Sequence, residues 1–558
     1  MNSIMNAMQQ RKKQVRGQIA SQASELPVLD NGYWFESDVR DNFYYASHLF
    51  AAAMDDSLPL KFNREEAKAK AELMLARVLD LQDQQPESAL YGHWPLNLRP
   101  APHEAPKNTL PVELMGSLMV YFYQRYQADL NELLRASFER ALLHIYRSGF
   151  YRKPLEHYHH HEAKYTAAKL IFGQLYGDRE LLADGADSLR RTYARISQIG
   201  MSEYGALPWF WHWVQAFTCA WALAAEGEIK TALAEMLDYL WHVRATYYLQ
   251  GAWVGPHSRG WPHDVPQDRN VLFDYVQFGD FPLPEEMPRT EYAGFLDYEA
   301  PAAARALALN RALPVEVKHR VPRPAALMQS ADDVLHSYVY ITQHYATGGV
   351  LERALEFDNE QHRWDVTLPV SAVQGVNRAF FFHPGQGYRF GDLRHQSDAG
   401  EVLFHRNVIA ALYDIPADQP DILVGCLPPG EWIEAPHALF GRCGSVYLAV
   451  YLQQPYERTV LADRSVVTSR GRLNAVVMEC LAISEAGISG IASLQHFAEK
   501  MTEKKPALTR SIQGALELTY RTFQNEAIAI MIDEEGNAAR FVNDSALLLH
   551  DYSFLTHT

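Results

Sequence analysis

The stretch PVEVKHRVPRPAAL, residues 314–327, is where the chain changes character. Its three prolines and mixed charges interrupt a helical pattern, because proline lacks the backbone donor and disfavours the α conformation before it. Upstream, apolar residues recur at helical spacing. Downstream they gather in short runs rich in Val, Ile and Tyr. The reading is an α+β multidomain chain. An N-terminal extension covers 1–25, an (α/α) toroid 26–313, a linker 314–328 and an antiparallel β-sandwich 329–558.

On the upstream side, FNREEAKAKAELMLARVLDLQDQ (62–84) opens with an asparagine that can cap a helix and continues with apolar residues on one face. Similar segments follow up to EAPAAARALALNRAL near 299, joined by Gly- or Pro-marked turns. No fixed sequence period is visible, which disfavours a solenoid array. Aromatic-rich helices with polar connections suit a closed ring of helical hairpins. On the downstream side, VLHSYVYITQHY (334–345), SVYLAVYLQ (445–453), LNAVVMECLAI (473–483) and NEAIAIMIDEEGNAARFVN (525–543) read as strands. The last holds a DEEGN turn, and IASLQHFAEKM (491–501) reads as a helix among them.

Composition excludes several classes. The 558 residues carry a formal net charge of −16 and no Lys/Arg-rich run, so a nucleic-acid partner is not expected. The most apolar long stretch, WFWHWVQAFTCAWALAA (209–225), contains His212, Gln215 and Thr218, and reads as a buried helix rather than a membrane span. The N-terminus is basic without an apolar core after it, unlike a secretory signal, and the four cysteines lack CxxC spacing. A reducing, cytoplasmic location is the expectation. A homo-oligomer is left open.

Four segments carry polar chemistry. YGHWPLNLRPAPHEAPKNTLP (91–111) is a long Pro-rich loop that ends near Asn108. HYHHHEAKY (157–165) places His157 and His161 one helical turn apart. It is not HExxH and has no evident third ligand, so no metal or cofactor is expected. SEYGALPWFWHW (202–213) sets Glu203, Tyr204 and His212 beside Trp209 and Trp211. GPHSRGWPHD (255–264) presents His257, Arg259, Trp261 and His263 on a backbone constrained by Pro256 and Pro262.

SEYGALPWFW and GPHSRGW resemble paired motifs of toroid polysaccharide lyases of the alginate, glucuronan, hyaluronate and heparinase kind. There an E-Y-N-S-P-T-Y-type segment precedes a P-H-S-R-x-Y-type one. HQSDAGEVLFHRNVIAALYDIP (395–416) resembles their β-domain. This chain has Gly205 and Trp261 where Asn and Tyr are the family pattern. The resemblance implies β-elimination on an anionic, uronate-bearing oligo- or polysaccharide. Such a site must neutralise the C6 carboxylate, remove the C5 proton and protonate the leaving oxygen. Residue type and loop placement suggest Tyr204 and His212 for proton transfer, with a nearby cation lowering the tyrosine's pKa. His257 and Arg259 would face the carboxylate. Asn108, His161, Glu203 and His263 would be supporting contacts, and Trp209, Trp211 and Trp261 stacking platforms. Two other readings compete. One is a glycoside hydrolase using two of Glu162, Glu203, Asp264 and Asp274. The other is an inactive carbohydrate-binding protein.

Overall fold

The computed structural model describes residues 2–324, 333–370 and 375–556. Helices fill its first half and mostly antiparallel sheets its second, so the chain is of the α+β kind. Its contacts divide it into two compact units whose borders do not follow the linker. One comprises Met1–Ile196, Trp209–His242 and Asn270–Ala302. The other comprises Ser197–Pro208, Val243–Arg269 and Ala303–Thr558.

The helical unit begins with α1 (Asn2–Glu25), the stretch set apart above as an extension. It packs on α2 (Val39–Ala53). Its polar residues bind the far end of the same unit. Arg11 donates to the carbonyls of Val276 and Gln277, and Arg16 to that of Gly294. Next come α3 (Arg64–Asp80), α4 (Leu110–Tyr126), α5 (Glu132–Ser148), α6 (His160–Tyr176), α7 (Arg179–Ile199), α8 (Leu207–Leu223) and α9 (Glu228–Thr246). Asn63 caps α3 through the Glu66 amide, as its sequence suggests, and Asn131 caps α5. Burial alternates along this series. In α2, α4 and α6, 12 of 15, 14 of 17 and 13 of 17 residues are buried, against 6 of 17, 5 of 17 and 6 of 21 in α3, α5 and α7. Every second helix is therefore enclosed on all sides, and its partner buries a single stripe.

The sheet unit has a nine-stranded and a six-stranded sheet whose side chains share one core. The six-stranded sheet buries its other face against a five-stranded sheet and the helix Leu494–Thr502. Along strand Val408–Asp414, Ile409 and Ala411 enter the first core, while Val408, Ala410 and Leu412 enter the second. Two buried faces explain why such strands read as unbroken apolar runs. The DEEGN segment makes the hairpin turn between Ala527–Ile532 and Ala538–Val542. Much of the stretch read as linker is instead a strand, Val315–Pro322, paired along its length with Val334–Ile341. Its alternating Val315, Val317 and Val321 suit a strand, and Pro322 stands at its last position. Residues 325–328 of that stretch lie outside the described residues.

Arg378 is the polar centre of this unit and is fully buried. Its guanidinium bridges Asp365 and Asp268, each at 2.7 Å, and donates to the carbonyls of Trp253 and Asp264. Residues 253–268, read above as part of the helical domain, are thereby fastened to strands Trp364–Thr367 and Arg378–Phe382. Removing one partner of a buried ion pair costs about 3–5 kcal/mol. Arg378→Met is expected to lower the unfolding free energy by that amount in a urea titration. Wild-type stability would show that the two carboxylates do not need it.

Candidate functional site

The first turns of alternate helices supply one polar cluster in the helical unit. Arg40 and Asp41 open α2, Glu113 lies in the first turn of α4, His160 and His161 open α6, and Trp209 and His212 lie near the start of α8. His160 stacks on Trp209 at 5.1 Å between ring centroids and lies 5.4 Å from the His212 ring. Arg289 donates to His212 Nε2 at 3.3 Å and lies over the Trp209 ring at 5.7 Å. Glu291 pairs with both Arg289 and His212, at 3.5 and 3.6 Å, and accepts from Gln215.

Glu113 is the second node of the cluster. One of its oxygens takes Lys164 at 2.6 Å and His161 at 2.7 Å, and the other accepts from the Tyr165 hydroxyl at 2.6 Å. Burial works against its charge, but Lys164 and His161 outweigh that and hold the carboxyl well below its ordinary range. His212 is shifted the opposite way for an imidazole. Burial, followed by the charges of Lys164, Arg289, His160 and Arg40, pushes it well below its ordinary value. Burial likewise pushes Glu291 upward, against Arg289 and Arg40.

Tyr204 and the GPHSRGWPHD loop belong to the sheet unit. The Tyr204 hydroxyl donates to Glu356 at 2.7 Å and accepts from Gln361 at 2.8 Å, within an apolar cluster of Val321, Leu335, Val350 and Ala354. Burial and the Glu356 charge push its pKa well above the ordinary value, not down as a neighbouring cation would. Its carbonyl takes the Ser258 amide and hydroxyl, which ties the two motifs together. Gly205 explains one departure from the family pattern. Its φ is +72°, and a Cβ there would stand 2.1 Å from the Pro256 carbonyl oxygen.

His257 was expected at the substrate carboxylate, but it is fully buried. Its backbone bridges to His362, and its ring lies 3.6 Å from Asp264. Burial, reinforced by Arg378, pushes the imidazole well below its ordinary value, and burial with Asp268 pushes the Asp264 carboxyl up. The pair holds no positive charge to offer. Arg259 pairs with Glu360 at 3.5 Å rather than with Asp264, and lies over the Phe357 ring. Arg394 shares Glu360 and covers Trp261, which stands 6.4 Å from His263, both half-buried.

The remaining expectations fall as follows. Trp211 is buried core, its Nε1 donating to Asn270 and its ring packed on Trp241 and Phe273, so it presents no stacking face. Asn108 accepts from the Leu110 amide at the start of α4, a local turn contact. Glu203 is buried beside Tyr204 in sequence. Of the expected site residues, His161, Trp209 and His212 meet in the helical unit, while Tyr204, His257 and Arg259 meet in the sheet unit. Sequence reasoning missed Glu113 and Lys164, although the lone charge inside LPVELMGSL was a usable signal for the first. Arg289 and Glu291 lie on irregular chain with no pattern to betray them. Among the described residues no group of three or more His, Cys, Asp or Glu is placed to hold a metal ion, and no helix is long and apolar enough to cross a membrane.

No family model matches the sequence, and no curated protein matches it. Among solved structures, the chain is similar to a mutant chondroitin AC lyase of Streptomyces coelicolor A3. The identity is 10% and the TM-score 0.41, over 97% of this chain and 92% of that one. A likeness of that size carries no functional argument.

Two variants probe the sheet-unit part. Gly205→Ala is expected to cost at least about 2 kcal/mol in thermal unfolding, from the left-handed backbone and the Pro256 contact together. An unchanged melting temperature would refute the close approach. Burial pushes Glu356 up to about 7 from 4.5, against the Tyr204 hydrogen bond and Arg323. A folded pKa above the unfolded one means stability present at low pH and lost as pH rises through about 7. Glu356→Gln is therefore expected to gain on wild type between pH ~5 and ~8, by up to about 3 kcal/mol. A pH-independent difference would contradict this.

Proposed function

We propose that the chain cleaves a uronic-acid-containing oligo- or polysaccharide by β-elimination, with the uronate received at the His212 cluster of the helical unit. The observation that carries this reading is the His212 imidazole with Arg289 on its Nε2, beside the Trp209–His160 stack. In a chain of net charge −16, Arg289 and Lys164 gathered beside the Trp209–His160 stack are a local device for an anion, each now held by a carboxylate, Glu291 and Glu113. The alternation of enclosed and one-sided helices, and the paired sheets, favour an (α/α) toroid with a β-sandwich.

The chemistry follows from the electrostatics. Burial first, and the neighbouring cations after it, depress His212. A uronate carboxylate beside Arg289 would offset the cations' share of that shift and raise the imidazole's basicity. Arg289 would also stabilise the charge that develops on that carboxylate as the C5–H bond breaks. The C5 electrons form the C4–C5 double bond, the C4–oxygen bond breaks, and the imidazolium just formed is the acid for the departing oxygen. Trp209 would carry the apolar face of a sugar. Hydrolysis is less well supported. Glu162 is occupied by the amides of 156–158, and Asp264 lies in the sheet unit beside His257, away from the His212 cluster.

The test is incubation of the full chain with alginate, glucuronan, hyaluronan and heparan sulfate, following the ultraviolet absorbance of the conjugated product. Activity on at least one is expected, falling about 100-fold or more in His212→Ala. Arg289→Met is expected to lower kcat and raise KM. A product that has gained water without a chromophore would make the chain a hydrolase. Saccharide binding without turnover would make it a binding protein.

A further inference from the structure

A pocket of about 400 Å³ adjoins Glu113 and His161 and takes no part in the reaction just described. Lys153, His157, His159 and Tyr165 contribute to its wall. Its own acids are largely spent. Glu113 is neutralised by Lys164 and His161. Glu162 accepts the backbone amides of residues 156, 157 and 158. Glu156 is mostly solvent-exposed and lies 3.8 Å from His157.

Lys153 differs from these. Among the described residues no carboxylate pairs with it. Its ammonium meets the Tyr165 hydroxyl at 3.4 Å and the face of that ring at 5.0 Å. An ammonium without a carboxylate partner, among imidazoles and beside a Glu113 already paired with Lys164, favours an oxyanion at that end of the cavity. One of its lining residues also touches the proposed reaction site. The His161 ring lies 4.0 Å from that of His160, which stacks on Trp209 and neighbours His212.

We propose that this pocket holds an acidic substituent, a sulfate ester or a carboxylate, on the sugar next to the uronate at His212. Its ligand class rests on the lyase reading. Lys153 supplies the charge and His157 a hydrogen-bond donor, so the substrate would be a glycan with acidic groups on neighbouring sugars.

The experiment titrates the full chain calorimetrically with a chondroitin sulfate hexasaccharide and with its desulfated form, product absorbance being followed in parallel. The variants are Lys153→Met and His157→Ala. Lys153→Met is expected to weaken the sulfated ligand about tenfold. An effect confined to that ligand assigns the pocket to a sulfate on the neighbouring sugar, and an equal effect on both would overturn that placement, because the desulfated ligand carries carboxylates only on every second sugar. Binding that depends on Lys153 without any chromophore would sustain the pocket and sink the lyase reading. Unchanged affinity of both ligands in both variants would overturn the proposal, whatever the lyase activity.

Discussion

A guanidinium enclosed in protein has to find its anions there, because the cost of removing it from water is not recovered otherwise. Arg378 meets that condition with Asp268 and Asp365, and with carbonyls of Trp253 and Asp264. The consequence extends well beyond one ion pair. Residues 253–268 come from the middle of a helical stretch of sequence, and this contact fixes them to two strands of the sheet unit. Once they are fixed, Ser258 can hold the Tyr204 carbonyl, and Pro256 passes so close to residue 205 that only glycine fits. The sequence motifs SEYG and GPHSRG are thus two faces of one packing arrangement.

The helical unit follows a different constraint. Its enclosed helices α2, α4, α6 and α8 contribute residues from their opening turns to a common cluster. Charges brought together in this way act strongly on each other because little water separates them. The two outcomes are opposite. Lys164 and His161 favour the charged form of Glu113 against its burial, whereas burial first, then Lys164, Arg289, His160 and Arg40, favours the uncharged form of His212. Lys164 takes part in both, so it couples the pocket lined by Glu113 to the imidazole on α8.

Much of the architecture was legible in the sequence. Period and composition located the helices, the strands, the change near 314 and the DEEGN hairpin, because those signals are local. The linker was misread because three prolines outweighed the alternating valines of Val315–Pro322, whose pairing partner begins at Val334. The domain border was drawn in one place because sequence order was the available guide. The contact border instead runs through Ser197–Pro208 and Val243–Arg269. Of the helical-unit cluster, His161, Trp209 and His212 were singled out by residue type. Arg289 was not, since irregular chain leaves no periodic trace.

By itself the sequence determined which segments would be helical and which extended, that the chain is acidic, and that His, Trp, Tyr and Arg concentrate in four stretches. Local backbone preference and hydrophobic spacing carry that information. Tertiary structure alone decided the surroundings of each of those residues. It buried Tyr204 against Glu356, His257 beside Asp264 and Trp211 in the core, and it drew Lys164, Arg289 and Arg40 around His212. The physical reason is that burial and the sum of neighbouring charges set a proton affinity. Both are properties of residues far apart in the chain.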